Sequence, residues 1–228
     1  MKFVTIQLIT SVLVFSETAF GRLNERVTAR RGRQSSPINR ITEGTLGSKA
    51  EHNSTFSSNW AGAVLTSAPR GQRYATAVGT FTIPDPKSNP SQGQTSASAS
   101  AWVGIDGDTA NAAILQAGID FTVSESGDVT YDAWNEFFPT PAEDFTGFPM
   151  AAGDSITVTI QATSATSGTV TLDNNTQQKS VSKTLKAPSS TATLAGQNAE
   201  WIVEDFSVNG GLVNFVDFGR SLSPNAQL

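Results

Sequence analysis

DSITVTIQATS, residues 154–164, alternates Ile156, Val158 and Ile160 with Thr157, Thr159 and Gln161. Successive side chains of a β-strand point to opposite faces, so this stretch has one apolar face and one hydroxyl-bearing face. It predicts a half-buried strand of an antiparallel sheet. Comparable runs stand on both sides: YATAVGTFTIP (74–84), SASAWVGID (98–106), AAILQAGIDFTV (112–123), VTYDAWNEFF (129–138), GTVTL (168–172) and AEWIVEDF (199–206). Gly, Pro, Asn and Asp punctuate them at PDPKSNPSQG, SESGD, TPAED, MAAGD and LDNNT. No stretch holds a helical period over a dozen residues, so the chain reads as an all-β sandwich of antiparallel sheets.

Composition agrees. Of 228 residues, 38% are hydrophobic and only 15% charged, with 13 Phe and 4 Trp, which suits a packed β domain better than a disordered chain. MKFVTIQLITSVLVFSETAFG carries one Lys, an apolar run from Phe3 to Phe15, and small residues at Ala19 and Gly21. That reads as a signal peptide over 1–21, hence a secreted, extracellular protein; the run is too short to span a bilayer. There is no Cys and a single His, His52, which nearly excludes thiol catalysis, a Ser/His/Asp triad and a His-rich zinc site.

Charge divides the chain. Residues 22–52 hold seven Arg and Lys against Glu25, Glu43 and Glu51, whereas from Asn53 onward seven Lys and Arg face sixteen Asp and Glu. The first segment reads as a basic propeptide or a solvated, disordered leader, and 53–228 as a single domain. A body with that anionic excess repels itself at neutral pH, relaxes in acid and is a poor partner for nucleic acid. The opposite signs also suggest that the leader masks the body at neutral pH and lets go in acid. The sequons at Asn53 and Asn174 are candidate N-glycosylation sites, the second in an expected hairpin turn with room for a glycan.

Side chains in phase along these strands gather unusual chemistry. Trp102 and Asp106 share a face, as do Gln116 and Asp120, and Asp132, Trp134 and Glu136. In AEWIVEDF, Glu200, Ile202, Glu204 and Phe206 share one face, so Glu204 marks either a wet edge or a strand carrying chemistry. Indoles interleaved with acids suit a groove that grips a polymer, peptide or sugar. Two local motifs fail. Asp106–Asp108 lacks the Gly and Glu of a calcium loop, with Asn111 and Ala117 in their places, and Asp108-Thr109 is followed by Ala110 where an aspartic protease needs Gly.

SSNWAGAVL (57–65), SAWVGIDGD, AILQAGIDF, YDAWNEFFP and AEWIVEDF, in this order, resemble the glutamic peptidases called eqolisins. The resemblance runs from about Ser57 to Phe218. It implies a secreted, acid-active, metal-free endopeptidase with no cofactor, a concanavalin-like (jelly-roll) sandwich, a propeptide and a monomeric state. Its catalytic pair would be Gln116 and Glu204, with Trp102, Asp106, Asp132, Trp134 and Glu136 supporting substrate or dyad. VNFVDFG (213–219) still resembles the family; RSLSPNAQL (220–228) does not, and the shortened C-terminus implies a missing strand and open sheet edges. Two other readings stand beside the peptidase: a glycoside hydrolase with a Glu136/Glu204 pair, and a non-catalytic, lectin-like module.

Overall fold

The computed structural model describes residues 32–41, 54–88 and 96–219, together with the backbone pairing of 225–227. The expected signal peptide, most of the leader and Asn53 lie outside the described residues. Within them there is no helix, and every paired strand runs antiparallel.

Two sheets form the sandwich. The front sheet has the order β2 (Trp60–Leu65), β11 (Ala199–Glu204), β4 (Ala97–Ile105), β5 (Ile114–Val123), β6 (Val129–Phe138) and β7 (Glu143–Asp144). The back sheet runs β10 (Lys179–Lys186), β9 (Ser167–Asn174), β8 (Ser155–Ser164), β3 (Thr76–Thr82) and β14 (Asn225–Gln227). A small third sheet joins β1 (Arg33–Gln34), β12 (Ser207–Val208) and β13 (Gly211–Leu212). The strands expected from alternation are present. β10 is an addition: KSVSKTLK reads as a polar segment because only Val181 and Leu185 of this edge strand pack against the core. The tail that lacks the family pattern supplies β14, which pairs with β3 and places Ala226 opposite Gly79.

The core lies between the sheets. Ile156, Val158 and Ile160 of β8, with Val170 and Leu172 of β9, meet Val103, Ile105, Leu115, Ile119 and Phe121 of the front sheet. All of these are fully or almost fully buried, each contributing about 1.5–3 kcal/mol relative to exposure. The other face of the back sheet is laddered by hydroxyls: Thr80 with Thr157 (2.8 Å), Thr169 with Thr184 (3.1 Å) and Thr171 with Ser182 (3.0 Å). Such cross-strand pairs fix register without apolar burial.

One carboxylate positions the strand of greatest interest. Asp106 follows β4 in the left-handed backbone region (φ 66°) and accepts four backbone N–H bonds, from Ala195, Gly196, Gln197 and Asn198, at 2.7–3.2 Å. Asn198 returns the clasp: its Oδ1 accepts from the amides of Asp108, Thr109 and Ala110, and its Nδ2 donates to Thr66 O and Thr109 Oγ1. The loop entering β11 is therefore held from the end of β4. Hydrogen bonds to a charged group are worth about 1.5–3 kcal/mol each, and this one anchors four buried or half-buried donors. Asp106→Ala should lower unfolding free energy by about 3 kcal/mol or more. Urea unfolding measures it, and a loss below about 1 kcal/mol would mean that the loop holds itself.

Candidate active site

The outer face of the front sheet carries the side chains singled out in the sequence. Strand register arranges them in three rows across β11, β4, β5 and β6. One row is Glu200, Gly104, Gln116 and Glu136; the next is Ile202, Trp102, Gly118 and Trp134; the third is Glu204, Ser100, Asp120 and Asp132. Gln116 and Glu204 share this face, in rows four residues apart along β4, and no hydrogen bond joins them. Trp102 lies in the row between and donates Nε1–H to Glu204 Oε2 at 3.0 Å. Its indole meets Trp60 edge to face, centroids 5.0 Å apart. Gly118 makes room for it, since a Cβ there would come 2.5 Å from Trp102 Cβ. The side chains lean from row to row: Trp134 Nε1 donates to Ser100 Oγ at 3.1 Å, two strands away.

A segment of the chain itself, residues 33–40, lies in this groove. β1 pairs with β12, placing Arg33 opposite Val208. The Arg33 side chain is almost fully buried; its guanidinium binds both carboxylate oxygens of Asp120 at 3.2 Å and Glu136 Oε2 at 2.9 Å. It also donates to Ser35 and Ser100 and stacks 3.9 Å from the Trp134 ring centre and 4.9 Å from that of Phe206. Three residues on, the Ser36 amide donates to Glu204 Oε1 at 3.1 Å. Ile38 N–H donates to Gly107 O, and Arg40 pairs with Asp108. Beyond Arg33 an open cleft of about 480 Å³ continues past Asp120, Asp132, Asp144, Phe206 and Leu212.

Six of the residues expected at the site share this face: Trp102, Gln116, Asp132, Trp134, Glu136 and Glu204. Asp106 does not. It follows the last strand residue and its left-handed backbone turns the carboxylate into the 195–198 loop, so it supports β11 rather than touching the groove. Asn174 also departs from expectation: it is buried, with Nδ2 donating to Pro149 O (3.1 Å) and the Asp154 carboxylate (2.8 Å), and a glycan there would displace both bonds. Asn53 lies outside the described residues. Sequence reasoning missed Arg33, Ser36, Ser100 and Phe206 as groove residues. Only the charge contrast between leader and body pointed toward the first of them. Among the described residues no group of three or more His, Asp or Glu side chains converges as metal ligands would.

The sequence profile of the Peptidase A4 family matches residues 58–223. The chain is 43% identical to aspergillopepsin-2 of Aspergillus niger over 77% of its own length and 65% of that protein's, just under two thirds. It is 39% identical to scytalidopepsin B of Scytalidium lignicola, over 98% and 82% of the two chains. Its fold resembles the crystal structure of scytalido-glutamic peptidase with a transition state analog inhibitor: TM-score 0.60, 37% identity, 75% of this chain and 86% of that one covered.

Burial dominates the electrostatics. It pushes Glu136 from 4.5 up to about 8, against the pull of Arg33 and with added repulsion from Glu204 and Asp120. It raises Glu204 as well, opposed by Arg33 and by hydrogen bonding with Ser35, Ser36 and Trp102. Glu200 is held well above the usual range by burial and by Asp106 and Asp108, and Asp205 is pushed up to about 6 by burial. Between their ordinary values and these raised ones, the folded chain keeps protons that the unfolded chain has released. Stability is therefore fully present below the ordinary carboxylate range and falls as pH climbs toward the folded values. The midpoint of thermal unfolding should be higher near about pH 4 than near pH 7. A midpoint that rises over that interval would show these acids to be ionised in the fold.

Proposed function

The chain belongs to the Peptidase A4 family, and from that premise we propose that it is a secreted acid endopeptidase hydrolysing peptide bonds with Gln116 and Glu204. The observation that carries the reading is the Ser36 amide hydrogen-bonded to Glu204 Oε1: the groove holds an extended peptide with its main chain against the proposed base. Strand addition to β12 is how a protein edge commonly takes up a peptide.

Chemistry follows from the side chains. Glu204 takes a proton from water, whose oxygen attacks the peptide carbonyl carbon while the C=O pair moves onto oxygen. Gln116, which cannot ionise, donates its amide N–H to that oxyanion. The protonated Glu204 then gives its proton to the leaving nitrogen as the C–N bond breaks. The bond from Trp102 favours the ionised Glu204 that starts this cycle, while burial favours the protonated form that delivers the proton to the leaving nitrogen.

Residues 22–52 serve as the propeptide, and residues 1–21 direct secretion. Arg33 plugs the groove through its pairs with Asp120 and Glu136, the basic segment set against the acidic body. A glycosidase with a Glu136/Glu204 pair is less well supported, because Glu136 faces Arg33 and the family is one of peptidases.

The dyad is tested by protein hydrolysis from about pH 2 to 7. Wild-type cleavage should be confined to acid, be abolished in Glu204→Gln, and fall about 10²–10³-fold in Gln116→Ala. Wild-type rates in either variant would sink the reading. A synthetic 22–52 peptide should inhibit the processed domain near neutrality and lose potency with added salt or acid. Replacing Arg33 by Ala in that peptide should weaken it at least about tenfold, since stranding a buried carboxylate costs about 2–5 kcal/mol. Equal potency would remove Arg33 from the plug.

A further inference from the structure

Glu200 is fully buried, and neither carboxyl oxygen has a hydrogen-bond partner among the described residues. Gln116, also fully buried, leaves both amide atoms unpartnered. Such groups are rare in folded proteins, and two of them on one register row call for a shared explanation. The residue between them on β4 is Gly104, which stands opposite Glu200 on one side and Gln116 on the other. A Cβ at Gly104 would lie 3.4 Å from Glu200 Oε2 and 2.8 Å from the Trp102 ring, so the carboxyl reaches over the glycine, beside the indole that binds Glu204.

We propose that Glu200 is a positioning residue: as a neutral carboxylic acid it donates its O–H toward Gln116 Oε1 and so orients the amide with Nε2 toward the substrate. A glutamine amide has no intrinsic preference for which end faces the reaction, and a wrong flip would set an oxygen lone pair against the developing oxyanion. An acid donor behind the carbonyl oxygen removes that choice. The groups around Glu200 favour its neutral form. Asp106 and Asp108 repel an anion from the end of β4, β2 brings no charge, and Glu136 lies farther along the same row. Arg40, which pairs with Asp108, belongs to the leader and departs with it.

The inference rests on the Gln116/Glu204 reading, and the experiment separates the two. Steady-state kinetics near about pH 4 would compare wild type with Glu200→Gln, Glu200→Leu, Gln116→Ala and the Gln116→Ala/Glu200→Leu double variant. Glu200→Gln keeps a neutral donor and should hold kcat within about threefold. Glu200→Leu should lower kcat about 10²-fold, by misorienting a donor whose outright loss costs that much or more, with KM nearly unchanged. In the Gln116→Ala background, Glu200→Leu should cost nothing further, because the group it orients is gone. Wild-type kcat in Glu200→Leu, or additive losses in the double variant, would overturn the positioning role while leaving the dyad standing. If Glu200→Leu does not fold, loss of kcat in folded Glu200→Gln would overturn it. Wild-type activity in Gln116→Ala would overturn the dyad and this inference together.

Discussion

Carboxyl groups crowded on one face of a buried sheet set the terms for this protein. Asp120, Glu136, Glu200 and Glu204 are almost or fully excluded from water on strands that also build the core. Four buried anions so close would cost far more than the fold has to spend, so each must carry a proton or meet a cation. The structure uses both. Arg33 serves Asp120 and Glu136, and burial keeps Glu136, Glu200 and Glu204 biased toward their neutral forms. Arg33 is thus the counter-charge that lets ionised carboxyls persist in a groove where burial alone would hold them neutral.

The same constraint explains how much of the site can be read from sequence. Alternation places Gln116, Trp134, Glu136 and Glu204 on one outer face because the opposite face, with Val103, Ile105 and Leu115, is so plainly apolar. A period of two settles sides and nothing more. It put Asp106 in phase with Trp102, but one residue beyond the strand a left-handed backbone turned that carboxylate into a loop. Periodicity also cannot tell an exposed acid from a buried one, so Glu200 passed as an ordinary strand residue until register set it beside Gly104.

Arg33 was hidden for a different reason. The segment has no apolar period of its own, and the hydroxyl and carboxylates that Arg33 binds on the front sheet lie from 67 (Ser100) to 103 (Glu136) residues away in sequence. A two-residue strand paired with β12 is decided by the surface it lands on. β10 escaped notice similarly, because its neighbours supply most of its stability. Asn174 shows the limit of a motif: the sequon describes a tripeptide, while the fold had already committed the amide to Asp154 and Pro149.

The hydroxyl ladder on the back sheet has its own bearing on life in acid. Thr80, Thr157, Thr169, Thr171, Ser182 and Thr184 pair through groups that neither gain nor lose a proton over any range a protein meets. The sandwich therefore joins two kinds of face at one core: a front face crowded with buried carboxyls, and a back face whose cross-strand side-chain ladder is built of hydroxyls. A shift in pH can loosen the groove and its plug while the layer behind keeps its register, so the molecule has a fixed frame against which the front can rearrange.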